Sequence, residues 1–172
     1  MGIETAELNT AKIKKNEADI NETSDNLLHV VTFNIGAEEY AIDIMIVIEI
    51  IKPTKITRVP LALDFVKGVV NLRGNVVPIV DLKKKFFISS PENPKEVRFI
   101  VVDINKKTIG FQVDKVSEVI MITANQVDST ASIVAGISQN YISGVARVGD
   151  RLITLLNIEK LLSEEELSKI SD

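Results

Sequence analysis

The stretch FVKGVVNLRGNVVPIVD, Phe65–Asp81, decides the fold of this chain. Apolar side chains, mostly valine, run through both halves of the stretch, and the polar tripeptide Arg73-Gly74-Asn75 separates the halves. Gly74-Asn75 tolerates the positive φ angles that a short hairpin turn requires. The stretch therefore predicts two antiparallel strands joined by a tight turn.

The same apolar pattern returns near the end of the chain. There, Tyr141–Leu162 (YISGVARVGDRLITLLNIEKLL) matches Phe65–Phe86 in its apolar positions. A second block, Leu28–Ile51, matches Val97–Ile120 in the same way. Two blocks that occur twice in the same order indicate the duplication of a small β module.

The repeats predict one domain over residues 27–162, made of two similar and partly closed β-barrels of about five strands each. The first barrel covers about residues 28–88 and the second about residues 97–158. The intervening residues 89–96 are rich in Ser, Pro and Asn, which is typical of a linker between two modules. The predicted fold class is therefore mostly β, with short helices at the margins.

The two ends of the chain lack the strand pattern. Residues 1–26 are polar without a sustained period, which favours a flexible tail, with a functional arm as the alternative. Residues 159–172 read as a C-terminal helix, because Ser163 and Glu166 fit a capping box that opens a helix at Glu164.

The composition excludes several classes of protein. The 172 residues contain no cysteine, which excludes disulfides, thiol catalysis and cysteine-ligated metal sites. A formal charge of −4, without a basic patch, argues against a nucleic-acid partner. The longest apolar run is far too short to span a bilayer, and no secretory segment opens the chain. We therefore expect a cytoplasmic protein that does not insert into membranes.

No residue pattern indicates catalysis. His29 is the only histidine, and without a second histidine at metal-ligand spacing it favours a structural role. The glycines fit strands and turns rather than a phosphate-binding loop, and the aspartates are scattered. We predict no catalytic residues, no metal site and no cofactor. Binding of partner proteins at exposed strand edges is the main hypothesis, and a small ligand held between the barrels is the alternative.

Three residues of the central stretch stand out because the second copy differs there: Arg73 (Gly149 in the second copy), Asn71 (Arg147) and Pro78 (Thr154). Arg73 either solvates its turn, where it could pair with Glu49, or presents its donors to the carboxylates or carbonyl groups of a partner. Pro78 lies within a predicted strand, which indicates an edge or a bulge.

Four motifs together resemble the CheW family of bacterial chemotaxis coupling proteins. They are AIDI (41–44), VIEII (47–51), FVKGVVNLRGNVVPIVDL (65–82) and DRLITLLNIEKLL (150–162). The resemblance extends from Leu28 to Leu162 with the motifs in the family's order, and GVVNLRGNVVPIVDL is its most specific part.

The resemblance implies a fold and a function. CheW proteins are similar to paired five-stranded, SH3-like barrels around a shared hydrophobic core. They are non-enzymatic adaptors in two-component signal transduction that join the cytoplasmic tips of chemoreceptors, the methyl-accepting chemotaxis proteins, to the regulatory domain of the CheA histidine kinase. By the resemblance, this chain is a cytoplasmic protein, monomeric on its own and recruited to receptor arrays. An adaptor of pilus or developmental signalling is the alternative.

The resemblance also implies which residues contact the receptor or the kinase. By motif these are Val47, Glu49, Gly68 and Arg73. Three of them have structural alternatives, with Val47 as a core residue, Glu49 as the ion-pair partner of Arg73, and Gly68 as a packing glycine.

Overall fold

The computed structural model describes residues 27–129 and 139–170, and strands dominate both parts. The strands are β1 Leu27–Ile35, β2 Glu38–Asp43, β3 Val47–Ile51, β4 Val66–Leu72, β5 Asn75–Asp81, β6 Arg98–Ile104, β7 Lys107–Val113, β8 Lys115–Thr123, β9 Val127–Asp128, β10 Ile142–Val148 and β11 Arg151–Leu156. The α-helices are α1 Leu82–Lys85, α2 Ile158–Leu161 and α3 Glu164–Ile170. The predicted tail, residues 1–26, lies outside the described residues.

The strands form two sheets, and the mostly β fold class is confirmed. One sheet has six strands in the order β8-β1-β2-β11-β10-β9, and the other has five in the order β3-β6-β7-β5-β4. The predicted hairpin, β4–β5, turns at Arg73-Gly74, with φ angles of 53° and 87°. Arg73 therefore takes the positive φ that the sequence predicts for Asn75, and Asn75 begins β5.

The internal repeat is confirmed by the register of the strands. Leu72 pairs with Asn75 across the first hairpin turn, and their equivalents in the repeat, Val148 and Arg151, pair across the second. Each hairpin also shifts its register beside its glycine, at 66/68 and at 142/144. Equivalent residues therefore occupy equivalent places in two equivalent sheets.

The sheets do not coincide with the two halves of the sequence, so the predicted barrel boundaries are wrong. Strands β1 and β2 of the first copy join β8–β11 of the second, whereas β6 and β7 of the second copy join β3–β5 of the first. All five strands of the five-stranded sheet thus come from one stretch of the chain, residues 47–113. The predicted linker, residues 89–96, lies within this sheet's part of the chain and not between barrels.

The exchange of strands has a simple physical basis. Val30 of β1 pairs with Ile120 of β8, and Ile51 of β3 pairs with Phe99 of β6. These two pairs are equivalent in the repeat: β1 of the first copy pairs with β8 of the second, and β6 of the second copy pairs with β3 of the first. Equivalent strands carry similar apolar patterns, and the backbone hydrogen bonds of the exchanged pairing match those of a local one. Sequence pattern alone does not distinguish the two arrangements.

A shared hydrophobic core joins the sheets, as the resemblance implied. It takes buried side chains from both, among them Phe33 of β1, Ile100 of β6 and Phe111 of β7. Ring contacts link Phe33 to Tyr40, Tyr40 to Phe86 and Phe86 to Tyr141. Two smaller clusters, one on each sheet, lie on the face opposite the shared core. Buried side chains of both sheets therefore pack together in one core between them.

Pro78 lies in a strand that is internal to the sheet as a whole, but at Pro78 itself β5 is paired on one side only, as an edge position requires. Strand β5 lies between β7 and β4, and Pro78 pairs with Val69. The ladder with β7 covers only Ile79–Asp81. The missing N–H of the proline falls just outside that ladder and therefore leaves no acceptor unpaired within it.

The predicted capping box at the last helix is confirmed. The Ser163 N–H donates to Glu166 Oε1 at 3.0 Å, and the Glu166 N–H donates to Ser163 Oγ at 3.1 Å. The other oxygen of Glu166 accepts from Lys85 Nζ at 2.7 Å, and that ammonium lies 4.4 Å from the centre of the Phe65 ring. These contacts attach α3 to the body of the domain.

We expect Glu166→Gln to lower the free energy of unfolding by about 1 kcal/mol at neutral pH. Partial burial acts to raise the pKa of Glu166, but the Lys85 ammonium and the bonds from Ser163 outweigh it, and the net pKa is lowered. A lowered pKa stabilises the fold above the unfolded-state pKa, and this contribution is lost as the pH falls through the folded-state pKa. Urea unfolding at a series of acidic pH values should therefore show wild type and variant converging.

The control is Glu165→Gln, because Glu165 is largely exposed and its ion pair is with Lys169 of the same helix. A constant gap between wild type and Glu166→Gln at every pH would contradict this account of the Lys85 contact.

Candidate functional site

An exposed ion pair lies at the tip of the β4–β5 hairpin. Arg73 Nη2 donates to Glu49 Oε1 of β3, which confirms the pairing considered from the sequence. The Arg73 side chain is 76% exposed and that of Glu49 is 27% exposed. Exposed ion pairs contribute little to stability. Because Arg73 is mostly exposed and bonds to one carboxylate oxygen, most N–H groups of its guanidinium face solvent.

The second copy holds an equivalent glutamate in a different arrangement. Glu118 of β8, the equivalent of Glu49, accepts from Arg151 Nη1 at 2.6 Å. Arg151 also donates to both carboxylate oxygens of Glu39 in β2, with Nε at 3.1 Å. Hydrogen bonds to Glu39 and then to Glu118 raise the pKa of Arg151. Two carboxylates thus occupy Arg151, whereas a single one holds Arg73.

We expect Arg151→Ala to lower the free energy of unfolding by about 1 kcal/mol, because half of the network faces water. The variant leaves Glu39, which is mostly buried, without its cation and removes a link between β11, β2 and β8. Thermal unfolding of the variant beside Arg73→Ala measures the difference. The larger loss should come from Arg151→Ala, and an equal or larger loss from Arg73→Ala would contradict the contrast.

Gly68 is buried, and only glycine fits its position. Its φ is +144°, and a Cβ built on it would lie 2.2 Å from the carbonyl oxygen of Thr57. The next residue, Val69, exchanges two backbone hydrogen bonds of 2.8 Å with Thr57. Gly68 thus lets the segment around Thr57 pair with β4. This geometry supports the packing role of Gly68.

Val47 lies at the margin of the shared core. It is half-buried, packs against the core and pairs with Val102 of β6. The register shifts between Val47 and Glu49. The structure therefore brings Glu49 and Arg73 into contact and places Val47 beside them on β3, while Gly68 lies apart on β4.

The exposed apolar side chains of the edge strands were missed by the sequence reasoning. Ile48 and Ile50 of β3 and Val119 and Met121 of β8 are exposed, and each strand ends its sheet in the strand order. Apolar side chains on a sheet edge are sites for partner proteins. Runs such as VIEII read as buried in a sequence, and no local pattern shows that Ile50 and Val119 are exposed.

The described residues show little sign of a site for chemistry. Within them no three His, Asp or Glu side chains lie together in a way that could hold a metal ion. Across residues 27–129 and 139–170, no helix has the length and apolar character needed to cross a bilayer. A groove of about 1040 Å³ lies along β4, β5 and β7 and not between the sheets. The shared core between the sheets is made of buried side chains, and the groove lies outside it.

Comparisons with known proteins agree with this geometry. The CheW-like domain matches residues 29–166. The chemotaxis protein CheW of Helicobacter pylori is 37% identical over 144 residues, which cover 84% of this chain and 87% of that protein. CheW of Klebsiella aerogenes is 38% identical over 140 residues, covering 81% of this chain and 84% of that protein.

A solved structure supports the same relationship. The crystal structure of the scaffolding protein TtCheW from Thermoanaerobacter tengcongensis superposes with a TM-score of 0.74 and 32% sequence identity. The match covers 81% of this chain and 90% of that one. The likeness thus extends over nearly all of TtCheW, including both sheets.

Proposed function

The chain belongs to the CheW-like domain family, and we propose that it is a non-enzymatic chemotaxis adaptor which couples chemoreceptors to the CheA histidine kinase. Its partners are the regulatory domain of the kinase and the cytoplasmic tips of the receptors. It works in the cytoplasm, is monomeric on its own, and is recruited to receptor arrays at the membrane. The names of its relatives, chemotaxis protein and scaffolding protein, support this reading.

The observation that carries the proposal is the exposed Glu49–Arg73 pair beside the exposed apolar side chains of β3. Apolar contact area with a charged pair at its margin is the usual composition of a protein-binding surface. The guanidinium of Arg73 offers a planar set of donors that suits carboxylates and backbone carbonyls of a partner.

The duplicated fold explains how one molecule can hold two partners. Glu49 and Ile50 on the five-stranded sheet are equivalent to Glu118 and Val119 on the six-stranded sheet. The surfaces are similar in backbone but differ in charge arrangement. Arg73 is mostly exposed and pairs with one carboxylate, whereas Arg151 pairs with two. Two related but distinct surfaces allow the kinase and the receptor to bind at the same time.

The shared core makes the adaptor a rigid spacer between those surfaces. Side chains from both sheets interlock in it, so a shift of the domain against the partner on one sheet also moves the contact with the partner on the other. Each contact is modest, and the array supplies avidity by linking many of them. Signal passes as a change in relative orientation, which requires that each partner's binding affects the other's.

The proposal is tested by reconstitution. Vesicles that contain a chemoreceptor from the same source are sedimented with CheA in the presence and absence of this protein. We expect CheA to sediment with the vesicles, and its autophosphorylation to respond to receptor ligand, only when the protein is present. Sedimentation of CheA to the same extent without the protein would contradict the adaptor role.

A further inference from the structure

A second surface lies in the groove of about 1040 Å³ beside the five-stranded sheet. It is lined by the segment 59–63, by β4 and β5, by the start of β7 and by the C-terminal end of α3. Neither Glu49 nor Arg73 lines it. Apart from a few polar groups the lining is apolar, and Val59, Leu61, Val76 and Ile109 contribute to it.

Leu61, at the mouth of this groove, has a backbone conformation that is unfavourable for leucine. Its φ is 61°, in the left-handed region that a bulky residue rarely adopts, and its side chain is fully exposed. The chain around it is fixed at both ends, since Thr57 bonds to Val69 and the Val66 N–H donates to the Leu63 carbonyl at 2.9 Å. Strained residues held by their surroundings cluster at ligand clamps and other functional sites.

The rim of the groove is basic, although the whole chain carries a formal charge of −4. Two lysines and no carboxylate line the groove, and one of them, Lys169, pairs with Glu165 of its own helix. The segment that leads into it carries Lys52, Lys55 and Arg58, which are exposed and form no ion pair with the described residues. The nearest carboxylate along the chain is Asp64, on the far side of Leu63. The sequence predicted no basic patch, and this rim is an exception to that prediction.

We propose that the groove docks an acidic amphipathic helix of a partner protein. Apolar side chains spaced three and four residues apart on such a helix fill the groove beside Leu61 and Val76, as in other helix-in-groove complexes. Its carboxylates meet the basic rim at Lys55 and Arg58. A concave site on an acidic protein suits a helix better than an anionic membrane, which would meet a convex basic face. The site includes neither Glu49 nor Arg73, and the proposal does not depend on the adaptor contacts.

The test uses the full chain, labelled with ¹⁵N, and a synthetic helix-forming peptide of about 15 residues with leucines on one face and glutamates on the other. We expect saturable shifts of the amide signals of Val59, Leu61, Val76 and Ile109, with binding that weakens as salt is added. A peptide with lysine in place of each glutamate should bind about tenfold more weakly or not at all.

Matched variants locate the binding. Val76→Asp should weaken it about tenfold, whereas Leu152→Asp, at the equivalent exposed position of the other hairpin and outside the groove, should leave it unchanged. Leu61→Gly should weaken binding without lowering the unfolding temperature, because glycine tolerates the backbone angle that strains leucine.

Several results would overturn the proposal. Equal weakening by Val76→Asp and Leu152→Asp, tight binding of the lysine peptide, or the absence of saturable shifts at the groove would each do so. Binding of the protein to phosphatidylglycerol vesicles through Leu61, in place of the peptide, would assign the surface to a membrane instead. Self-association in sedimentation experiments that Leu61→Gly abolishes would assign it to a second copy of the chain.

Discussion

Gly68→Ala should lower the free energy of unfolding by about 3 kcal/mol or more, since a positive φ and a steric clash act together. The added Cβ would lie 2.2 Å from the carbonyl oxygen of Thr57, which is backbone and cannot rotate away. The strand pairing of Thr57 with Val69 would have to open or β4 would have to shift. For a chain of this size we expect the thermal unfolding midpoint to fall by about 10 °C.

Two other glycines serve as controls for Gly68→Ala. Gly74 has a φ of +87° but nothing within 4 Å of a built Cβ, so Gly74→Ala should cost only about 1 kcal/mol. Gly144, the equivalent of Gly68, meets the Val127 side chain at 2.7 Å and lacks the positive φ, so its alanine variant should fall between the two. A Gly68→Ala protein as stable as Gly74→Ala, with weakened partner binding, would instead make Gly68 a contact residue.

Arg73→Glu should weaken binding of the partner that meets the β3 edge by about tenfold or more, while the fold keeps its stability within about 0.5 kcal/mol. The side chain is 76% exposed and makes one ion pair, so little folding free energy depends on it. The variant places a carboxylate beside Glu49 and presents the partner with the wrong charge. Isothermal titration and chemical unfolding of the same preparation measure both quantities.

A charge exchange separates the two roles of this pair. Glu49→Arg combined with Arg73→Glu restores the internal ion pair in the opposite sense. If the pair only orders the hairpin, the double variant recovers binding; if Arg73 itself meets the partner, it does not. We expect no recovery. Arg151→Ala is the matched control, because it removes a guanidinium that two carboxylates already occupy.

Local features of the fold followed from the sequence because the residues that specify them are neighbours. The hairpin around Gly74, the capping box at Ser163 and the two repeated blocks depend on short patterns, and strand pairing and hydrogen bonds confirm them. The Arg73–Glu49 pair, whose residues lie 24 positions apart, was one of the two alternatives considered for Arg73.

Features that depend on distant partners did not follow from the sequence. Strand β1 pairs with β8 rather than with β3, the equivalent of β8 in the first copy. The apolar pattern of β3 and β8 is the same, so the sequence does not show which pairing forms. The exposure of Ile50 and Val119 follows from their place on the edge strands, which the exchange decides. The groove at Leu61 forms where the segment 59–63 and α3 approach the sheet. No local sequence pattern predicts it.

The most direct measurement of the central claim is a calorimetric titration of this protein with the isolated regulatory domain of a CheA kinase from the same source. The adaptor account predicts saturable binding with one-to-one stoichiometry that a change on one sheet weakens, Arg73→Glu on the five-stranded sheet or Glu118→Lys on the six-stranded sheet, while the other change leaves it intact. Absence of binding by the folded protein, or equal loss from both changes, would contradict it.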